Sequence, residues 1–180
     1  MNSNATGIKI VIGLGNPSKE YTSTYHNVGK MFLESISQGQ FKHPSKKSFE
    51  YSSLEFPRDS ASSLTIVKPL TFMNESGLPT HEALNYFKLS PQHLLVAHDD
   101  SDMALGTWKL SFDQRSAGHK GIESIINTLG TQKFWRLKIG IRPTSERARK
   151  KAEEFVLKKI SKKDSKILED VFAKIAQEML

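Results

Sequence analysis

Cysteine is absent from all 180 residues of this chain. That absence removes a disulfide framework, a thiolate nucleophile and any cysteine-bound zinc or iron–sulfur centre. Long apolar runs are missing as well, and nothing approaches the ~18 consecutive apolar residues that a membrane span requires. The opening Met1-Asn2-Ser3-Asn4-Ala5-Thr6 has neither the apolar centre of a secretory signal nor the arginines of a transit peptide. These absences lead to the expectation of an intracellular soluble protein, cytoplasmic or mitochondrial, with no membrane association.

Two motifs of enzyme chemistry are also lacking. Gly13-Leu14-Gly15 opens like a dinucleotide-binding turn, but the third glycine position is Ser18 and Pro17 interrupts the loop. No Gly-x-Ser-x-Gly elbow exists to present a nucleophilic serine. His98, Asp99, Asp100 and Asp102 could be drawn as a metal site, yet no further histidine or carboxylate stands nearby at helical ligand spacing. An acidic loop accounts for that run better, so neither metal nor cofactor is expected.

What is present suits one globular domain over residues 1–180, with residues 1–7 as a flexible N-terminus. Hydrophobic residues make up 37% and charged residues 25% of the chain, mixed throughout, which is enough for one core and unlike a disordered polymer. The net charge of +7 is concentrated: between Arg142 and Lys166 there are ten Lys or Arg against four acids, a difference of +6. A polyanion partner, nucleic acid first, explains such a cluster. A lysine-rich solvated helix face explains the same charges, and composition alone does not separate the two.

Periodicity supplies the elements. Ile8 to Ile12 reads as a strand that stops at Gly13-Leu14-Gly15-Asn16-Pro17. Val28, Met31, Phe32 and Ile36 follow at helical spacing, with Thr24 or Asn27 as the cap. Phe49–Phe56 and Leu64–Val67 read as two strands joined by a polar turn at Arg58–Ser63, and a short helix after Pro79 carries Ala83, Leu84 and Phe87. Leu94–Ala97 suits a strand buried on both faces that ends in His98-Asp99-Asp100. Trp108, Leu110 and Phe112 alternate as a half-buried strand. Ile122, Ile125, Ile126 and Leu129 mark a helix after Gly121, Trp135–Ile141 a strand, and Ile167 to Ile175 a last helix. Strands alternating with helices predict an α/β fold, a single-domain three-layer sandwich with a mixed β-sheet flanked by helices.

In open α/β sheets the site forms beyond the carboxyl ends of the strands. Asn16 with His26 and Asn27, Asn74, and Asp99 with Asp102 fall at such ends. A neutral imidazole can take a proton from water near neutral pH, a carboxylate on its other nitrogen fixes the tautomer, and carboxamides can hold a carbonyl without adding charge. These residue types point to water-mediated hydrolysis of an ester or amide.

At this point the chain resembles a known family. Ile12-Gly13-Leu14-Gly15-Asn16-Pro17 through Tyr21 to His26-Asn27-Val28-Gly29 is similar to the N-terminal signature of the bacterial-type peptidyl-tRNA hydrolases. Lys68–Gly77, Val96–Asp102, Gly118–Ser124, Phe134–Ile141 and Phe155-Val156-Leu157 resemble the further family blocks, in family order, over almost the whole chain. The resemblance implies a monomeric, metal-free hydrolase acting on peptidyl-tRNA. It implies His26 as the base that activates water, Asp99 as its orienting carboxylate, Asn16 and Asn74 as substrate-holding groups and Tyr21 as part of the site wall. Lys109 and Arg136 would face tRNA phosphates, joined by the basic segment with Lys150 and Lys151. Two departures stand out: Lys120 replaces the usual Asn, and Asp113-Gln114-Arg115-Ser116-Ala117 replaces a loop that is usually glycine-rich. Lys120 is expected to hold substrate by donating. The alternatives are a non-catalytic RNA-binding protein of the same fold and an esterase for small substrates, for which the basic segment would have no use.

Overall fold

Alternating side chains force a sheet covered on both faces. In the first strand Ile10 and Ile12 point one way and Val11 the other, and all three are buried, so helices must pack on each side. The computed structural model describes residues 7–37, 40–56, 59–143 and 155–179, without the side chains of 55–56 and 59–62. Its strands are β1 (Ile10–Gly13), β2 (Phe49–Phe56), β3 (Asp59–Pro69), β4 (Leu94–Ala104), β5 (Trp108–Phe112) and β6 (Trp135–Arg142). The helices are α1 (Val28–Ile36), α2 (Gly77–Tyr86), α3 (Lys120–Leu129) and α4 (Lys162–Met179). The six strands form one sheet in the order β2-β3-β1-β4-β6-β5. Its four central strands are parallel, and antiparallel β2 and β5 close the edges. This is the mixed sheet in an α/β sandwich that the pattern predicts.

Each face has its own core. Val11, Leu95, Ala97 and Leu137 pack with Val28, Phe32 and Leu33 of α1 and with Leu168, Val171, Phe172 and Ile175 of α4. Ile10, Ile12, Leu94 and Val96 pack with Ala83 and Leu84 of α2 and Ile122 and Ile125 of α3. Among the described residues no helix is long and apolar enough to cross a membrane.

Several elements differ from the periodicity. β3 begins at Asp59, inside the stretch read as a turn, because the pairing with β2 continues through a register shift at Glu55/Phe56. β4 runs on through His98-Asp99-Asp100 to Ala104, since Asp99 and Asp100 pair with Ile139 and Gly140 of β6. Helix α2 starts two residues before Pro79, in the first turn, where backbone N–H groups have no helical acceptor and proline costs nothing. Neither Thr24 nor Asn27 caps α1 with its side chain: Thr24 Oγ1 donates to Tyr21 O, and Asn27 is spent on Asn16.

One close approach fixes α1 against the sheet. A Cβ at Gly29 would collide with the Ala97 carbonyl oxygen, so only glycine lets the start of α1 lie directly on β4. This contact sets the residues just before α1 beside the carboxyl end of β4.

Candidate active site

The chain leaves β1, visits the β2 and β3 side of the sheet, and returns to place β4 on β1's other flank. The crevice between β1 and β4 is therefore the switch point at which open α/β sheets hold ligands. A cleft of about 1170 Å³ opens there, lined by Asn16, His26, Asn74, Asp99, His119 and Lys120 among others.

Asn16 follows β1 and is clamped by its neighbour. Asn27 Oδ1 accepts from the Asn16 N–H at 2.8 Å, and Asn27 Nδ2 donates to the Asn16 carbonyl at 3.0 Å. The Asn16 carboxamide oxygen accepts from the Met73 N–H at 2.8 Å. A backbone N–H can only donate, so that bond fixes the amide's orientation and leaves Nδ2 as the donor available to the cleft. The same bond holds the 3-10 turn Met73–Glu75, which exposes Asn74 at the cleft wall.

His26 sits in the 3-10 turn Tyr25–Asn27, immediately before α1. Its Nδ1 donates to Asp99 Oδ1 at 2.9 Å, which leaves Nε2 as a lone pair with no partner among the described residues. Burial alone would lower the His26 pKa, but the Asp99 carboxylate and its hydrogen bond outweigh that and raise it, with Lys120 pulling back. Burial would likewise raise Asp99, yet His26 and His119 together hold its carboxyl far below the usual range. The turn is gripped from behind by the segment 155–160: His26 N donates to Val156 O at 2.8 Å and Ile160 N to Ser23 O at 2.8 Å.

His119, which the pattern of the sequence leaves without a role, completes the cluster. It is the N-cap of α3, and its Nε2 meets Asp99 Oδ1 at 3.0 Å. Its sequence signals are its place just ahead of the amphipathic α3 and its membership of the Gly118–Ser124 block, neither of which gives it a role. His98 lies behind it, with ring centroids 4.7 Å apart. Burial, then His119, pushes the pKa of His98 well below the ordinary value, and its Nδ1 bonds Asp99 O at 2.7 Å.

The donor atoms of His26, Asp99 and His119 all lie within 4.8 Å of one another, close enough to ask whether they gather a cation. Both imidazoles meet Asp99 through N–H groups. His119 cannot exchange tautomers freely, because its Nδ1 accepts from Ile122 N at 3.3 Å. The trio therefore fits a hydrogen-bonded cluster better than a metal cage.

The remaining expected residues divide. Lys109, exposed on β5, lines the cleft, as does Lys120 at the first position of α3. Tyr21 is not among the described residues lining it; it stands half-exposed in the turn Lys19–Tyr21. Arg136 borders the cleft but is only 1% exposed, inside the fold instead of on a phosphate-facing surface. Its guanidinium donates to Arg115 O at 2.6 Å and to Gln114 O, and burial brings its pKa down to about 10, Asp113 opposing. Those bonds hold a loop in which Asp113 (φ 52°) and Ala117 (φ 50°) adopt the left-handed backbone that glycine favours. Lys138, which pairs with Asp100 at 3.0 Å, also lines the cleft and is a cation the sequence reading did not single out. Lys150 and Lys151 lie outside the described residues.

A buried aspartate that accepts from a histidine with one free nitrogen, beside amide donors at one cleft, is an arrangement able to activate water for hydrolysis. The peptidyl-tRNA hydrolase family profile matches residues 10–180. The chain is 39% identical over 170 residues to the peptidyl-tRNA hydrolase of Aquifex aeolicus (strain VF5), covering 93% of this chain and 85% of that one. It is 40% identical over 173 residues to that of Persephonella marina (strain DSM 14350 / EX-H1), covering 94% and 88%. The crystal structure of peptidyl-tRNA hydrolase from Acinetobacter baumannii superposes with a TM-score of 0.81 at 26% identity, over 93% of this chain and 84% of that one. The chain belongs to the peptidyl-tRNA hydrolase family.

Proposed function

We propose that this protein hydrolyses the ester joining a peptide, or an N-blocked amino acid, to the 3′ end of tRNA, with no metal and as a monomer. The observation that carries the reading is the His26 Nδ1–Asp99 Oδ1 contact of 2.9 Å at the cleft, which leaves Nε2 as the free base. His26 Nε2 takes a proton from water while the water oxygen bonds the ester carbonyl carbon. Asp99 holds the tautomer and stabilises the imidazolium. Asn16 Nδ2 and Asn74 hold the peptide and ester carbonyls, adding no charge where the oxyanion grows. The intermediate then breaks its bond to the ribose oxygen, which recovers the proton from His26, so water and ester yield a free peptide acid and a free tRNA.

Lys120 donates to the substrate, and Lys109 with Lys150 and Lys151 meets tRNA phosphates. Arg136 contributes by holding the Gln114-Arg115 backbone, which leads directly into Ser116 and Ala117 of the cleft wall. The test is release of free tRNA from N-acetyl-aminoacyl-tRNA, compared with the same aminoacyl-tRNA bearing a free amine, with and without chelator. Cleavage of the blocked substrate only, undiminished by chelator, is expected. Equal cleavage of both, or none of either, overturns the reading, and none of either favours the RNA-binding alternative.

A further inference from the structure

Two histidines share one oxygen of Asp99, and the hydrogen-bond pattern assigns them different work. The Ile122 N–H donates to His119 Nδ1 at 3.3 Å. Since a backbone N–H is only ever a donor, Nδ1 is the bare nitrogen and the ring proton is on Nε2. That proton points at Asp99 Oδ1, 3.0 Å away, the same atom that accepts His26 Nδ1–H at 2.9 Å. With one nitrogen accepting and the other donating, His119 keeps no lone pair for a water, whereas His26 keeps Nε2.

We infer that His119 is a positioning residue that sets how strongly His26 holds its proton, acting through the carboxylate they share. The charge of a carboxylate oxygen is divided among its donors, so each N–H it accepts weakens its pull on the other. Asp99 is only 3% exposed, so solvent offers little screening of this competition. His119 thus keeps His26 less basic than a solitary His–Asp pair would, leaving more of it as free base near neutral pH. Among the described residues, other charged or titratable groups line the cleft with His26. On β4 they are His98, Asp99, Asp100 and Asp102; at the head of α3, His119 and Lys120; on β5, Lys109; on β6, Arg136 and Lys138, the latter paired with Asp100. Asn16, Asn27, Val156 and Leu157 complete the surroundings without charge. The variants below change His119 alone among these groups, removing its N–H together with a ring whose centroid lies 5.0 Å from that of His26, and His26→Ala serves only to identify signals.

The inference rests on His26 as the base, and its test is separable from that reading. His119→Asn keeps an N-cap for α3, since asparagine is among the best cap residues, but its short side chain cannot reach Asp99. His119→Gln can again place an N–H near Asp99. The His26 ring is titrated by NMR in wild type and both variants, its signals identified by their loss in His26→Ala, and kcat/KM is measured against pH on the blocked substrate. In His119→Asn the His26 midpoint and the acid limb of the rate profile are expected to move up together by about one pH unit, the scale of one lost charge-assisted hydrogen bond. His119→Gln is expected to return toward wild type. An unmoved or lowered midpoint in His119→Asn, or an equal shift in His119→Gln, overturns the inference. If no substrate is cleaved, the hydrolase reading fails while the NMR midpoints still decide the coupling.

Discussion

Tyr25 Oη donates to Asp164 Oδ2 at 2.5 Å, tying the residue before His26 to the first turn of α4. Tyr25 is buried and packs edge-on against Phe155, so the bond anchors the turn that carries His26. Tyr25→Phe removes only the hydroxyl and leaves Asp164 partly solvated. It should cost about 1 kcal/mol of stability, seen in thermal melts, and lower kcat several-fold with KM little changed. A kcat equal to wild type would show that the anchor does not bear on His26.

His26→Ala should lower kcat by ~100-fold or more, the usual share of a positioned general base. Asp99→Asn should also lose rate, because an amide can stabilise the wrong imidazole tautomer. Turnover near wild type in both variants would remove the pair from the reaction.

The rate should depend on pH with a definite sign. As the proposed base His26 must be neutral, and its pKa is raised above 6.5, so kcat/KM should climb through a midpoint above that value as pH increases. Asp99→Asn deletes the anion that raises it, and the residual activity should show a lower midpoint. A wild-type midpoint below 6.5 would contradict the geometry.

The sheet and both cores were legible in the chain because their signal is local: Ile10-Val11-Ile12 and Leu94–Ala97 alternate across two faces, and α3 and α4 repeat at helical spacing. His26, Asp99, Asn16 and Asn74 were legible through residue type and family blocks, and all four line one cleft. Roles set by contacts distant in sequence were not. Arg136 looks like a surface cation until the loop at 113–118 folds over it, and Asn27 looks like a helix cap until Asn16 arrives from 11 residues away. Nor does anything local say that His119 and His26 meet the same oxygen.

Ala117 occupies a left-handed conformation at φ 50° that costs an L-residue about 1 kcal/mol. Ala117→Gly should relieve it and raise the melting temperature, where an alanine-to-glycine change on an ordinary backbone would lower it. Calorimetry of the two proteins decides.

Lys120 offers donors and a full charge where the family usually has a neutral amide. Lys120→Asn should stay within ~10-fold of wild-type turnover, while Lys120→Glu should act mainly on KM through repulsion of the tRNA. Inactive wild type rescued by Lys120→Asn would instead make this chain a binding protein.

Affinity for tRNA should fall steeply with salt, each neutralised phosphate adding up to ~0.9 to the log–log slope. Reversing Lys109, Lys150 and Lys151 to Glu should flatten that slope. An unchanged slope would leave them as solvated charges.

The hydrogen bond from His26 N to Val156 O has a consequence for the order in which the protein comes into being. Ribosomes deliver a chain from its N-terminus, and early parts fold as they emerge. A nascent chain already carrying Asn16, His26, Asn74, Asp99 and Lys120 has the groups proposed to bind and cut peptidyl-tRNA, yet lacks the segment that grips the His26 turn until synthesis passes residue 156. For most of its own time as a peptidyl-tRNA, the protein lacks the grip on the turn that holds its proposed base.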